Sequence, residues 1–408
     1  MIGVERLRVS IFLGNREAEI GELVLARKGV YFKYSSSFLE KGVEISPFKM
    51  KLTPEVISAG RLPFDGLFGV FNDSLPDGWG RLLLDRYLSS LGIAIKEINP
   101  LDRLAYVGTS GMGALTYRPE ISQTFDRDKL IELDEVAADM KRFLEGESSD
   151  VIERLHQLGG SSGGARPKIL VGYNKGSNHI IHGAEELPED YEHWIIKFPS
   201  SIDSPDIAHI EYAYHKMALG AGLKMNECKL FAGESGKNYF GTKRFDRDHG
   251  QRIHMHSASG LLHDNYRMSA MDYGHLMDCA FQLEHNVESY SKIFRLAAFN
   301  VFAHNRDDHS KNFAFLMDQH GSWQISPTYD LTFSYSAHGH HSTMVAGESK
   351  NPGKKQLLEL AHIFDLKAPE KILEEVRASI SNWNTIANDC GVSSSSRNRI
   401  AREIASID

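Results

Sequence analysis

The first thirty-five residues alternate apolar and polar positions with a period of two: LRVSIFLG from Leu7, then EIGELVLA, then GVYFKYS. Gly14-Asn15 and Lys28-Gly29 punctuate them, so three strands joined by hairpins are expected. The spacing then turns helical. Asp77 or Gly78 opens a helix through LLLDRYLSSLGI, and PLDRLAYVGTSGMGALTY (100–117) reads as a short helix, a glycine turn and a strand. Residues 130–158 are mostly helical, broken by the acidic LEGESSD at 144–150. His193 to Phe198 is a strand, and a helix runs from about Ile210 to Ala221 with Glu211 in its first turn. CKLFAG and YFGTKRFDRD are two strands joined by the turn 234–238. Helices are expected over 270–283 and 289–302, and roughly three more over 354–404.

The pattern singles out the stretch 299–330. The apolar run 293–302 empties into His304-Asn305-Arg306-Asp307-Asp308-His309-Ser310-Lys311-Asn312. Two apolar segments follow, 313–317 and 323–325, separated by the turn signal Asp318-Gln319-His320-Gly321. Paired about that turn, residues whose numbers sum to about 641 lie opposite one another. Asn312 then faces Tyr329, and Asp307, Asn312 and Asp330 converge at one mouth. Two carboxylates and a carboxamide there suit phosphoryl transfer.

Composition narrows the setting. At 408 residues the chain exceeds one ordinary core, and 41% hydrophobic with 25% charged residues is that of a folded, soluble protein. A net charge of −8 argues mildly against a nucleic-acid-wrapping surface. Three scattered cysteines suit a reducing compartment, no segment has the ~20 apolar residues of a membrane span, and the start lacks a signal-peptide core. A cytoplasmic location is expected.

The glycine-serine run Gly159-Gly160-Ser161-Ser162-Gly163-Gly164-Ala165 precedes the strand that carries Lys168. Its unobstructed backbone N–H groups suit phosphate oxygens, although it matches neither a P-loop nor a dinucleotide fingerprint; a plain linker is the bland alternative. Lys197 near a strand end, followed by Glu211 on a helix, is the pairing with which kinases orient nucleotide phosphates; two surface charges are the alternative. Asp307 and Asn312 keep the spacing of the aspartate and asparagine in H-R-D-x-x-x-x-N. Asp330 then falls where a metal-binding aspartate belongs, and Lys311 can steady the phosphoryl group. Among rivals, His304 and His309 with Asp307 and Asp308 could form a metallohydrolase cluster, but H-E-x-x-H is absent. His338, His340 and His341 read as a solvated loop rather than a metal tract, and His254 and His256 as structural. No Ser/Cys–His nucleophile arrangement emerges, and the cysteines lack supporting context.

SSGGARPK (161–168), KRFDR (243–247), DDHSKN (307–312) and PTYDLT (327–332), with FNDSLPDGWGR (71–81), GMGAL and NPGKKQLLELA (351–361), together resemble HipA-type serine/threonine kinases, the toxins of bacterial HipA–HipB toxin–antitoxin systems. The resemblance implies an α+β fold: a β-rich N-terminal subdomain (1–147), then a two-lobed protein-kinase-like domain with an N-lobe (148–247) and an all-helical C-lobe (248–408). It implies ATP and Mg²⁺ as cofactors, Asp307 as catalytic base with Lys311 beside it, and Asn312 and Asp330 as Mg²⁺ ligands. Gly163, Gly164, Ala165, Arg166 and Lys168 would form the phosphate loop, Lys197 would bind phosphates, Lys243 and Phe245 would supply adenine hinge contacts, and His309 joins the nucleotide set. Ser161, or Ser162 beside it, would be autophosphorylated, adding about two negative charges beside the ATP phosphates. The departures are Asp308, where a glycine is common, and Lys243, where the hinge often carries glutamate. The implied partners are a HipB-like helix-turn-helix antitoxin, DNA mainly through that antitoxin, and a protein substrate of the aminoacyl-tRNA synthetase kind. The alternative is a catalytically quiet nucleotide-binding scaffold acting with the antitoxin.

Overall fold

The alternating opening forms strands β1 (Arg6–Leu13), β2 (Arg16–Ala26) and β3 (Gly29–Tyr34), extended by β4 (Ile57–Ser58) and β5 (Leu115–Arg118) into an antiparallel sheet ordered β4-β3-β2-β1-β5. Leu7, Val9 and Ile11 on β1 turn to the core, as a period of two requires. Phe32, Phe68, Phe71 and Tyr117 pack edge-on or tilted over this sheet, Phe32 and Phe71 with centroids 5.2 Å apart. The computed structural model describes residues 3–27, 29–121, 129–146, 149–159, 164–183, 186–336 and 339–407. The chain divides into two compact units, one of residues 1–200, 231–256 and 316–321, the other of residues 201–230, 257–315 and 322–408.

The first unit contains a second antiparallel sheet. β6 (Lys168–Tyr173), β7 (Ile180–His182), β8 (Glu192–Lys197), β9 (Cys228–Ala232) and β10 (Asn238–Lys243) run in the order β7-β6-β8-β10-β9. On one face Ile169, Val171, Trp194, Ile196 and Tyr239 join a core with Trp79, Leu83, Met140, Phe143 and Leu155. Those last five come from helices Gly78–Ser90, Leu133–Glu145 and Ser149–Gly159. Lys168 and Lys197 lie on the other face, directly opposite each other across β6 and β8.

FNDSLPDGWGR is a set of attachments. Phe71 is core, the Asp73 carboxylate accepts from His256 Nδ1 at 2.6 Å, and Tyr117 Oη donates to Ser74 at 2.7 Å. KRFDR is a second such knot. Asp246, fully buried, accepts from Arg244 Nε and Nη2 (2.9 and 2.7 Å), Arg247 Nη1 (2.8 Å) and the Gly113 amide (2.7 Å). Arg247 also donates to the Gly111 and Gly113 carbonyls at 3.0 and 2.9 Å. The GMGAL turn is thereby sewn to the end of β10.

Among its described residues the second unit is mainly helical, and it holds part of a short hairpin whose strands are Ala314–Met317 and Trp323–Ile325. Helix Ile207–Gly220 buries Tyr214 against Phe299 of helix Glu288–Phe302 and Trp383 of helix Trp383–Asp389. The tail has four helices among the described residues, not three, because Asn382 separates Pro369–Ser381 from Trp383–Asp389. Helix Ile207–Gly220 begins three residues before the periodicity suggests, so Glu211 sits in its second turn and is buried.

Candidate functional site

Helix Glu288–Phe302 ends when His304 adopts a left-handed φ of 55° and the Asn305 amide closes back on Asn300 O at 2.9 Å. His304 is buried, stacked on Phe333 with centroids 5.1 Å apart, and bonded through Nδ1 to Ser334 O. Burial and the Arg306 charge hold its pKa below the usual range, which favours the neutral ring in this packed position.

The next two residues face opposite ways. The Asp307 side chain is 55% exposed, with His309 Nε2 3.9 Å from its Oδ1. Asp308 is fully buried. Its Oδ2 accepts from Tyr273 Oη at 2.9 Å and His341 Nδ1 at 3.0 Å, and its Oδ1 from the Ser342 and Thr343 amides at 2.8 and 3.3 Å. Thr343 Oγ1 donates to the Asp308 carbonyl at 2.5 Å. Behind Tyr273 the network continues through Asn300 Nδ2 (2.8 Å) to Asn305 (2.9 Å). Burial and the Asp308 charge push the Tyr273 phenol far above its ordinary pKa, so it remains a donor. His341, expected in a solvated loop, is instead part of this buried network. His338 lies outside the described residues.

The rest of the loop is fixed locally. Ser310 Oγ donates to Asp264 at 2.5 Å, Asn312 Nδ2 to the Asp307 carbonyl at 2.8 Å, and Tyr329 Oη to the Lys311 carbonyl at 2.6 Å. The Lys311 ammonium stands 5.0 Å from the Tyr266 ring centre, and the His309 ring 5.5 Å from it. Asp330, half-buried, has a left-handed φ of 56°. The Ser326 amide bonds Ala314 O at 3.0 Å, a sum of 640, so the hairpin sits one step from the expected register. Asp307 and Asn312 come together as the sequence suggests, with the Asn312 amide nitrogen engaged and its Oδ1 left as an oxygen donor. Among the described residues, no group of three or more His, Cys, Asp or Glu could hold a metal, which removes the geometric basis for a metallohydrolase cluster.

In the first unit, the described end of the glycine-serine run is held by the start of helix Gly78–Ser90. Asp77 does not cap its own helix; its carboxylate accepts from the Gly164 amide, and the Trp79 amide donates to Gly164 O at 3.0 Å. Gly164 has φ +94, and the Lys168 ammonium lies against its Cα where a side chain would stand. Lys168 is buried, Lys197 half-buried with Nζ 5.6 Å from the Phe240 ring centre, Ala165 exposed, and Arg166 and Phe245 half-buried. Lys243 pairs with Glu192 at 2.6 Å, an ion pair across the neighbouring strands β10 and β8. Ser161, Ser162 and Gly163 lie outside the described residues.

Tyr273, His341, Thr343 and Asp264 were not legible as part of this site, because nothing local in sequence ties them to 307–312. Asp77 and Trp79 belong to the motif FNDSLPDGWGR, but nothing in it points to Gly164.

Residues 160–406 match the family model described as HipA-like C-terminal domain, and residues 10–118 the one described as HipA N-terminal domain. The chain matches no curated protein sequence. Among solved structures it resembles the HipA of Shewanella oneidensis MR-1, solved with HipB and its operator DNA. The likeness covers 98% of this chain and 95% of that one at 17% identity, with a TM-score of 0.67. The proinflammatory kinase CtkA of Helicobacter pylori aligns over 53% of this chain and 87% of that one, with 14% identity and a TM-score of 0.34. At 17% identity the Shewanella likeness speaks for the fold, and the α+β, HipA-type fold expected from the sequence is the one found. With one family model spanning well over half of its residues and a second covering most of the front module, the chain belongs to the HipA family.

Proposed function

We propose that this HipA-family protein is an ATP- and Mg²⁺-dependent serine/threonine protein kinase acting as the growth-inhibiting toxin of a toxin–antitoxin module. The observation that carries the reading is the sorting of the DDHSKN loop: Asp307 is exposed while Asp308, Ser310 and Asn312 are tied down around it. A carboxylate presented on a fixed loop is what a general base needs. In the proposed step the acceptor hydroxyl gives its proton to Asp307 as its oxygen bonds to the γ-phosphorus and the bond to the departing ADP oxygen breaks. The Lys311 ammonium stands on the same loop to balance the charge of the transferred group.

Mg²⁺ favours one or two protein oxygens with the remainder from phosphate and water, and the donor set fits it: Asn312 Oδ1 and the Asp330 carboxylate. Bound there, the ion would neutralise phosphate oxygens. Gly164, Ala165, Arg166, Lys168 and Lys197 would take the phosphates, Lys243 and Phe245 the adenine through backbone, and His309 would complete the nucleotide set. Autophosphorylation would fall on Ser161 or Ser162.

The regulatory half follows the Shewanella HipA, which was solved with HipB and operator DNA. We extend to this chain a HipB-like antitoxin and DNA contact through it. The net charge of −8 supports leaving the DNA to the partner. The proposed substrate is a protein of the translation apparatus such as an aminoacyl-tRNA synthetase, and the proposed location is the cytoplasm. No helix among the described residues is long and apolar enough to cross a membrane.

Incubation with γ-labelled ATP tests the reading. Wild type should transfer label to itself and to a protein in cell extract, and Asp307→Ala should lose transfer and toxicity with an unchanged circular-dichroism spectrum. A folded Asp307→Ala that still transfers phosphate overturns the assignment. A wild type that binds ATP but labels nothing favours a nucleotide-binding scaffold.

A further inference from the structure

The residue after the proposed base is the departure from the family pattern that the mechanism does not use. A carboxylate buried inside a protein is costly unless every lone pair it exposes is met, and Asp308 meets four donors on residues 33 to 35 positions away. Two of those donors, the Ser342 and Thr343 amides, are backbone. A third bond, Thr343 Oγ1 to the Asp308 carbonyl, ties main chain to the same segment. Of the two side-chain donors, Tyr273 reaches through Asn300 to Asn305, two residues before Asp307. The loop is thus clamped to a neighbouring segment at 308 and to the helix end at 305. Asn312 also bonds the Asp307 carbonyl from the far side.

We propose that Asp308 is a positioning residue for phosphoryl transfer: its buried carboxylate, held by Tyr273, His341 and the amides of Ser342 and Thr343, fixes the peptide on which Asp307 is presented. It touches neither nucleotide nor acceptor. It sets the direction of the neighbouring carboxylate, because successive residues of an extended loop point to opposite sides, and locking one inward aims the other outward. The metal-cluster reading of Asp308 fails on the same geometry, since both of its oxygens face donors. His341 acts here as a donor to Asp308, with Nδ1 carrying the proton by the chemistry of the pair. The inference rests on the kinase reading for its catalytic consequence, but not for the brace itself.

Asp308→Asn keeps the shape and replaces one acceptor oxygen with an NH₂ group that confronts donors. Misplacement of a reacting group by about 1 Å costs on the order of a hundredfold in rate. Asp308→Asn should therefore lower kcat about 10- to 100-fold, with the dissociation constant for ATP, measured by calorimetry, unchanged within about twofold. Tyr273→Phe, which removes one donor and adds nothing, should lower kcat less, and amide exchange over residues 304–313 should quicken in both variants. A merely stabilising role would move the melting point without this split between kcat and ATP affinity.

An Asp308→Asn protein that is folded and matches wild-type kcat overturns the proposal, as does unchanged amide exchange in the loop. If the wild type itself transfers no phosphate, the kinase reading fails, and amide exchange alone then decides whether the brace exists.

Discussion

Asp246 gives the sharpest quantitative test of how the first unit is held together. Asp246→Ala leaves the Arg244 and Arg247 guanidiniums, both buried, without the carboxylate that sits 2.7 to 2.9 Å from each, and strands the Gly113 amide. Breaking a buried pair by removing one partner costs about 3–5 kcal/mol, and an unmet buried amide adds about 1–3 kcal/mol. Burial alone would raise the Asp246 pKa, but the two arginines overcome it and hold the carboxyl well below the usual range, so the charge is present at every working pH. The expected loss of about 4–8 kcal/mol corresponds, for a unit of this size, to a melting point lower by roughly 10–30 °C. Tryptophan fluorescence on heating reads it, because Trp79 and Trp194 lie in this unit's core. Asp246→Asn should fall between wild type and Asp246→Ala. The triple change Arg244→Met, Asp246→Leu, Arg247→Met should recover part of the loss by removing the charges together. It should not recover all of it, because the Gly113 carbonyl loses its Arg247 donor and the Gly111 carbonyl is left with Arg252. An Asp246→Ala protein melting within about 3 °C of wild type would refute the claim that this cluster anchors the glycine turn.

Two further perturbations test other attachments. Burial favours a raised pKa at Asp206, but hydrogen bonds from Ser204, Ser393 and Ser396 outweigh it and hold the carboxyl down at about 2. A depressed folded pKa gives stability that is full above the unfolded value near 3.8 and is lost as pH falls toward 2. The stability gap between wild type and Asp206→Asn, measured by urea denaturation, should therefore shrink across that window, and a constant gap would contradict the linkage. Gly78→Ala would put a Cβ 2.6 Å from Gly164 O at a backbone φ of +43. The left-handed strain of about 1–2 kcal/mol, added to the clash, should loosen the Gly164 attachment and weaken ATP binding about tenfold by calorimetry; equal affinity would show that the attachment does not shape the loop.

What could be read from the sequence was whatever is local. Period-two alternation fixed the front strands, and turn chemistry placed the hairpin between residues 317 and 323. Asp307 and Asn312 were legible because their contact spans only five residues. The register slipped by one because a four-residue turn signal does not say which residue pair closes it, and the bond from Ser326 to Ala314 decided that. Glu211 moved to the second turn because no side chain caps the start of its helix, leaving the boundary to tertiary packing. Asp308 and His341 were unreadable for a different reason. Their partners are tens of residues away, and a charged loop looks solvated until its far donors are known. The same holds for Asp77, whose partner Gly164 is 87 positions on. In KRFDR the sequence showed charge but not that Arg244, Asp246 and Arg247 are buried.

Sequence inheritance and packing draw different boundaries in this chain. The two family models leave residues 119–159 to neither side, yet helices Leu133–Glu145 and Ser149–Gly159 from that gap stand between Trp79 of the front module and Trp194 of the second sheet. A core shared in this way cannot be divided at the family boundary without baring a face of Trp79, Phe143 and Trp194 to water. Substitutions at Trp79, Phe143 and Trp194 are therefore expected to be accepted in concert across related chains. The unmatched segment behaves as mortar rather than tether, and the front module travels with the sheet it supports.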